Sequence, residues 1–321
     1  MKRRDLLQGA AALGVFAAMP FAAASRLFAS PRPAAAPADG KGTQPAMGPA
    51  TGPANGPNPL KPPAHGSIPV AFLLSEGATI IDFCGPWEVF QDVNIPGRND
   101  AAFRLYTVAE TLQPLHASGG MTIVPDYTLA TAPAPKVIVI PAQGGRSAAM
   151  LEWLRASSKH TDLTMSVCTG AFLLASTGLL AGKSATTHHA FYRTFAMDFP
   201  AVHLERGARF VEDGNLASAG GLSSGIDLAL RVVERYFGRE VATQTAYQME
   251  YQGQGWTNPR SNAVYGQARV STDAHPLCPV CQMDVDRAAS PKQVYKGKTY
   301  WFCSPAHQAQ FAADPQRYLD A

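Results

Sequence analysis

Four short apolar runs constrain this chain more than any other feature. They are Ile68–Leu74, Phe103–Val108, Lys136–Ile140 and Leu163–Val167. Helical patterns fall between and after them, over Ser147–Ser158, Ala171–Thr177, Ser223–Tyr236 and Glu240–Tyr251. A strand that is apolar throughout needs cover on both faces, and strands separated by helices pair in parallel. The expectation is an α/β domain: a mostly parallel sheet with helices on both faces. Such sheets bind ligands at the carboxyl ends of their strands. Two informative segments fall there, Gly144-Gly145 after the third run and Cys168 after the fourth.

The fourth run enters Cys168-Thr169-Gly170 and a helical pattern begins at once. A strand, a nucleophile and an immediate helix make a nucleophile elbow, here with cysteine in place of serine. The turn should expose the sulfur, and the helix N-terminus should lower its pKa. The amides of Thr169 and of Gly144 or Gly145 are candidates for an oxyanion-type hole. The competing reading is that Cys168 is a small buried hydrophobe.

Further stretches carry a family resemblance. They are Asp82-Phe83-Cys84-Gly85-Pro86-Trp87-Glu88-Val89-Phe90, Ser166 through Leu180, Ala185-Thr186-Thr187-His188-His189, Asp213-Gly214-Asn215 through Gly220-Gly221, and Gly225 through Leu230. In order and content they resemble the ThiJ/PfpI branch of the class I glutamine amidotransferase-like superfamily. Within it the likeness is greatest to the group holding isonitrile hydratases and the ligand-sensing domains of AraC-type regulators. The resemblance implies a flavodoxin-like sheet, Cys168 as nucleophile, Asp82 as the acid beside it and His188 as a looser candidate base, with no cofactor at that site. Thiolate attack on an isonitrile carbon, with a neighbouring carboxylic acid supplying the proton and water completing the reaction, yields an N-substituted formamide. A carboxyl beside a thiolate should have a raised pKa. Unlike the AraC-type regulators, the chain shows no helix-turn-helix pattern after Trp256 and turns instead to cysteines.

Cys278-x-x-Cys281 and Cys303-x-x-x-His307 supply four soft or borderline ligands in two short-spaced pairs, which suits a closed tetrahedral metal site. So short a segment cannot build a sufficient core, so metal would supply folding energy. A Cys278–Cys281 disulfide is the alternative in an oxidising compartment. With Tyr295-Lys296-Gly297-Lys298-Thr299-Tyr300-Trp301-Phe302-Cys303, Phe311, Asp314-Pro315 and Tyr318-Leu319, the segment resembles a YHS domain. That implies a small metal-binding α+β module. Thiolates with one imidazole favour Zn or Cu(I).

The N-terminus begins with Lys2-Arg3-Arg4 and continues as an Ala/Gly/Leu/Phe run, the form of a signal peptide of twin-arginine type. Residues 31–63 hold ten prolines and read as an extended spacer. The 321 residues carry a formal charge of +3, but residues 1–67 hold seven basic and two acidic groups, and residues 68–265 hold 14 and 17. The basic excess is therefore not a face of the folded part, which argues against nucleic-acid binding. The expected organisation is a signal over 1–29, a linker over 30–67, the ThiJ/PfpI-like domain over 68–265 and the metal-binding module over 266–321. Expected partners are a small-molecule substrate or ligand and the twin-arginine export machinery, with a homodimer left open. The expected place is the periplasm, membrane-anchored if the signal is retained. The functional expectation is an exported, isonitrile hydratase-like enzyme. The alternative is a non-catalytic metal-binding or metal/redox-stress protein whose central domain serves as sensor or chaperone.

Overall fold

The computed structural model describes residues 58–267 and 269–319. The expected signal peptide, and the expected linker as far as residue 57, lie outside the described residues. Each of the four apolar runs is a strand: β1 (Ile68–Leu73), β2 (Phe103–Ala109), β4 (Val137–Ile140) and β5 (Leu163–Val167). Three more complete a seven-stranded sheet: β3 (Tyr127–Thr128), β6 (Phe210–Asp213) and β7 (Leu216–Ala219). The order is β6-β7-β5-β4-β1-β2-β3. All neighbours are parallel except β6 and β7.

Side chains alternate between two cores. Val70 and Phe72 of β1, with Val137 and Val139 of β4, join one core with Phe83, Val89 and Phe90 of α1 (Ile80–Gln91) and Leu228 to Val233 of α5 (Ser224–Phe237). Ala71 and Leu73 of β1, with Ile138 and Ile140 of β4, join the other with Met150 and Leu154 of α2 (Ala148–Ser157) and Ala171 to Ala175 of α3 (Gly170–Ser176). Burial on both faces explains why these strands carry no polar alternation. The chain starts at the middle strand, β1, runs outward to β3, then returns to β4 on the other side. The reversal puts the carboxyl ends of β1, β4 and β5 together at one rim, where ligands bind such sheets.

Beyond α5 come α6 (Arg239–Gln248) and a connector that leads to the small C-terminal module. That module has a hairpin, β8 (Lys292–Tyr295) with β9 (Lys298–Trp301), turned through Lys296 and Gly297, both at positive φ. Two consecutive positive-φ residues make the turn that matches strand twist. Helix α7 (Pro305–Ala313) follows. Pro305 sits in its first turn, and the Ser304 hydroxyl accepts the His307 amide as N-cap. The module's core is small: Cys278, Val280, Cys281, Val285, Phe302, Phe311 and Tyr318. It docks on α4 (Tyr192–Asp198). Met197 and the preceding Phe191 pack against its core, the Thr194 hydroxyl donates to the Val280 carbonyl at 3.2 Å, and Arg317 pairs with Asp198. No described helix is long and apolar enough to cross a membrane.

Candidate active site at Cys168 and candidate metal centre

Cys168 has a backbone φ of 58°, the left-handed region that a side chain ordinarily avoids. Such a conformation costs roughly 1–3 kcal/mol and persists only where surroundings fix it. Here its amide faces two carbonyls, Gly220 at 2.9 Å and Ala219 at 3.2 Å, and its carbonyl accepts the Thr187 hydroxyl at 2.9 Å. The elbow also presses on its neighbouring strand. A Cβ at Gly170 would lie 2.2 Å from the Ile140 carbonyl oxygen, so only glycine fits there. A Cβ at Gly225 would lie 2.9 Å from a Val167 methyl carbon, so α5 abuts the elbow's strand equally closely.

The Gly170 approach sets Cys168 beside the end of β4, and that end holds Asp82. The Ala142 amide donates to Asp82 Oδ2 at 3.0 Å. The acid is wholly buried in the first turn of α1. Helix position favours the carboxylate, because amide dipoles point toward the first turn. Burial dominates and pushes the Asp82 pKa up to about 7, against the lowering effects of the Ala142 amide and the Cys168 thiol. Oδ1 is buried with no hydrogen-bond partner of ordinary geometry. The thiol nonetheless lies close enough to act on the carboxyl's proton affinity and to be acted on in turn.

The sulfur behaves differently from the sequence-based expectation. Cys168 as a whole is only 7 % exposed, and its thiol pKa is pushed up to about 12, first by burial and then by the Asp82 charge. The amides of Leu222 and Thr169 donate toward it but do not outweigh those effects. The helix behind it, α3, is only seven residues long. At neutral pH the pair therefore rests as a thiol beside a carboxyl that is close to half-ionised, and the two titrate as a unit.

Of the amides expected at an oxyanion-type hole, that of Thr169 donates toward the Cys168 sulfur. Gly144 and Gly145 are not free for that role: their amides donate to the Glu76 carbonyl at 3.0 Å and to Ser75 Oγ at 2.9 Å. The second amide at the sulfur comes from Leu222, at φ 40°, which sequence reasoning missed. The signal available was Gly220-Gly221 just before it. His188 stands against the same turn. A Cβ at Gly221 would meet its ring at 2.6 Å, so the imidazole packs on the turn's backbone. Its Nδ1 accepts the Ala190 amide at 3.2 Å, its ring stacks on His189 with centroids 4.4 Å apart, and burial first and His189 second hold its pKa down to about 4. It is a neutral imidazole, and among the described residues no hydrogen bond joins it to Cys168. Two clefts lie away from the sulfur: one of about 290 Å³, lined by Ser75, Glu76, Glu110 and Gly145 among others, and one of about 920 Å³ beside Cys278.

In the module, the four expected ligands converge. The donor atoms of Cys278, Cys281, Cys303 and His307 all lie within 4.8 Å of one another. Cys281 and Cys303 sulfurs are 3.5 Å apart, and His307 Nδ1 is 3.0 Å from Cys303 Sγ and 3.7 Å from Cys278 Sγ. Zinc–sulfur bonds of about 2.3 Å in a tetrahedron set sulfur–sulfur edges of about 3.8 Å, so the donor set fits one ion. None of the five cysteines is in a disulfide, which removes the Cys278–Cys281 bridge. Three of the four donor residues are placed by local structure: Cys278 and Cys281 by a tight turn in which the Gln282 amide donates to the Cys278 carbonyl at 2.8 Å, and His307 by the Ser304 cap. The Cys281 thiol donates to Cys278 and lowers its pKa to about 4, while the same contact raises that of Cys281.

Comparison with known proteins agrees with this architecture. Residues 69–235 match the DJ-1/PfpI family and residues 278–321 match the YHS domain. An isonitrile hydratase of Pseudomonas putida is 31 % identical over 190 residues, covering 58 % of this chain and 79 % of that protein. The transcriptional regulator GbdR of Pseudomonas aeruginosa is 25 % identical over 188 residues, covering 57 % of this chain and half of the regulator. Among solved structures, a ThiJ/PfpI family protein from Pseudomonas syringae superposes with a TM-score of 0.53 at 28 % identity, over 65 % of this chain and 85 % of that one. The chain is thus a member of the DJ-1/PfpI family that carries a YHS domain behind its family domain.

Proposed function

We propose that the central domain is a cysteine-dependent hydratase acting on a small isonitrile-like molecule. The observation that carries this reading is the pairing of Cys168, held at φ 58°, with a wholly buried Asp82 whose pKa is raised to about 7. A carboxyl poised near neutrality can both accept and return a proton. In the reaction, the Asp82 carboxylate takes the Cys168 S–H proton and delivers it to the isonitrile carbon as sulfur bonds to that carbon. The product is a thioimidate, R–N=CH–S–Cys168. Water then adds to the same carbon, the C–S bond breaks, the proton returns to sulfur, and R–NH–CHO leaves. Atoms balance as isonitrile plus one water, with no redox step. The amides of Thr169 and Leu222 stabilise negative charge on the sulfur as it forms and as it leaves. His188 remains a candidate site residue on the flank of the Leu222 turn rather than a charged base. The similarity to isonitrile hydratase supports the substrate class.

The test is to incubate the purified chain with an aliphatic isonitrile and follow the formamide by proton NMR. Formamide is expected from the unaltered chain, and a fall of at least about 10³-fold from Cys168→Ser and Asp82→Asn. A correctly folded chain that yields none refutes the hydratase reading.

The Cys₃His cluster supports a second reading that is compatible with the first: the module holds Zn or Cu(I) through Cys278, Cys281, Cys303 and His307. The ion would be a structural one, supplying folding energy to a small core. If the hydratase fails, the central domain is left as a sensor or chaperone attached to a metal-binding protein. We further propose that residues 1–29 direct export by the twin-arginine route to the periplasm. Unchanged compartment distribution after Arg3 and Arg4 are both replaced by Lys would count against that.

A further inference from the structure

The turn that aims the Leu222 amide at Cys168 is braced by an ion pair between half-buried Arg209 and buried Asp227. Asp227, in the first turn of α5, is wholly buried. It accepts the Arg209 guanidinium at 2.6 Å (Nε) and 2.5 Å (Nη2), the Tyr251 hydroxyl at 3.0 Å and the Trp256 amide at 2.8 Å. The same guanidinium reaches forward: Nη2 donates to Ser223 Oγ at 3.0 Å and Nη1 to Asn262 Oδ1 at 3.3 Å. Asn262 in turn donates to Ser224 Oγ at 3.3 Å. The Arg209 carbonyl accepts the Gly220 amide at 2.9 Å, and the Gly220 carbonyl accepts the Cys168 amide. Residues 220–224 are thus held on one side by Arg209 and on the other by the elbow itself. Leu222, at their middle, is strained at φ 40° and has no glycine's freedom to stay there unaided.

We propose that Asp227 and Arg209 are positioning residues that fix the Gly220–Ser224 turn so that the Leu222 amide stays aimed at the Cys168 sulfur. Resting on the cysteine-nucleophile reading, this assigns the sulfur's second donor to a loop set by an ion pair that never touches substrate. A buried carboxylate with four donors around it is a rigid anchor, whereas Gly220-Gly221-Leu222 by themselves are not. The pair also ties the connector, through Tyr251, Trp256 and Asn262, to the turn beside the sulfur.

The test uses the full, metal-loaded chain and measures iodoacetamide alkylation of each cysteine peptide by mass spectrometry from pH 7 to 10, with melting temperature alongside. Loss of one amide donor to a forming thiolate should slow Cys168 alkylation at pH 9 by about tenfold in Asp227→Asn. Arg209→Lys, which keeps the charge but loses the forked reach to Ser223, should slow it by about threefold or more. Ser223→Ala should slow it by about twofold with no change in melting temperature. Cys84, on α1, is hydrogen-bonded to neither Arg209 nor Asp227 and should react alike in all four proteins. If Asp227→Asn does not fold, the other two variants decide. Unchanged or faster Cys168 alkylation in the folded variants overturns the proposal, whatever happens to melting temperature. Because this reading needs no substrate, it stands or falls independently of whether formamide is formed.

Discussion

Cys168 and Cys278 are both buried, yet their thiols are pushed in opposite directions. Cys168 meets a single carboxyl and two amides in a closed, strained elbow. Burial wins there, and the thiol keeps its proton up to about pH 12. Cys278 is just as buried, but the Cys281 thiol donates to it, and its pKa falls to about 4. The difference teaches that burial alone does not decide the state of a cysteine. A group of thiols shares out one negative charge among its own members and can then bind a cation. A lone thiol cannot ionise until a partner takes its proton. The first arrangement suits lasting metal ligation, and the second suits a nucleophile made only when substrate is present.

The largest expected effect lies in the module. Two of its seven core residues, Cys278 and Cys281, also belong to the Cys₃His donor cluster, so an ion held there would be part of the core. Structural zinc contributes on the order of 10 kcal/mol of binding free energy in small domains of this kind. Stripping the metal with a chelator, or replacing Cys303 by Ser, should abolish hydrogen-exchange protection across residues 278–319 and remove bound metal from the variant. Protection of the strands of the central sheet should survive. A module that keeps its protection after the metal is gone would break the contrast, because its thiols would then be packing groups only.

A smaller effect, of opposite sign to the usual acid behaviour, belongs to Asp82. Its folded pKa of about 7 lies above the unfolded value of about 3.9, so the native state holds the proton more tightly. Stability from this group is complete below about pH 4 and is lost as pH rises through 7. Asp82→Asn keeps an acceptor for the Ala142 amide and abolishes that loss. Urea midpoints at pH 5 and 8 should therefore converge in the variant, by on the order of 2–4 kcal/mol relative to the unaltered chain. Carboxyls such as Asp213, with lowered pKa values, work in the other direction in both proteins and cancel in the comparison. The same variant should alkylate faster at Cys168, since a negative neighbour is gone, while losing hydratase activity. Parallel pH curves in the two proteins would place the carboxyl outside the pair.

The core strands, the helices α2, α3, α5 and α6, the elbow and the residues of the Cys₃His cluster were all legible in the sequence, because each is written in adjacent residues. Continuous apolar runs mark strands covered on both faces, and a Cys-x-x-Cys pair marks a turn. Three things were not legible. β7, Leu216-Ala217-Ser218-Ala219, consists mainly of small residues that carry little strand signal, and its place beside β5 is set by tertiary pairing. The raised Cys168 pKa depends on how much of the fold closes over the sulfur, whereas the elbow motif speaks only of the helix behind it. The Leu222 amide, 54 residues downstream of Cys168, arrives through the Arg209–Asp227 brace, which joins residues 18 apart. Gly144 and Gly145 looked equivalent to it in sequence, but Glu76 and Ser75 already hold their amides.

The smallest expected effect asks whether the two cysteine sites are independent. Helix α4 touches both regions. It begins four residues after His188, which packs on the Leu222 turn, and Thr194 on it donates to the carbonyl of Val280, between Cys278 and Cys281. Thr194→Val keeps the shape and deletes that single hydrogen bond, leaving a carbonyl without its donor, at a cost of about 1 kcal/mol. The expected readout is a modest rise in exchange at residues 278–285, with metal content unchanged and Cys168 alkylation unchanged at every pH. The reason is that the elbow is fixed by hydrogen bonds to Gly220, Ala219 and Thr187, none of which is hydrogen-bonded to the module's turn among the described residues. If Cys168 alkylation shifts in step with exchange at 278–285, the contrast between a self-contained metal site and a self-contained nucleophile fails, and α4 becomes the element through which one sets the other.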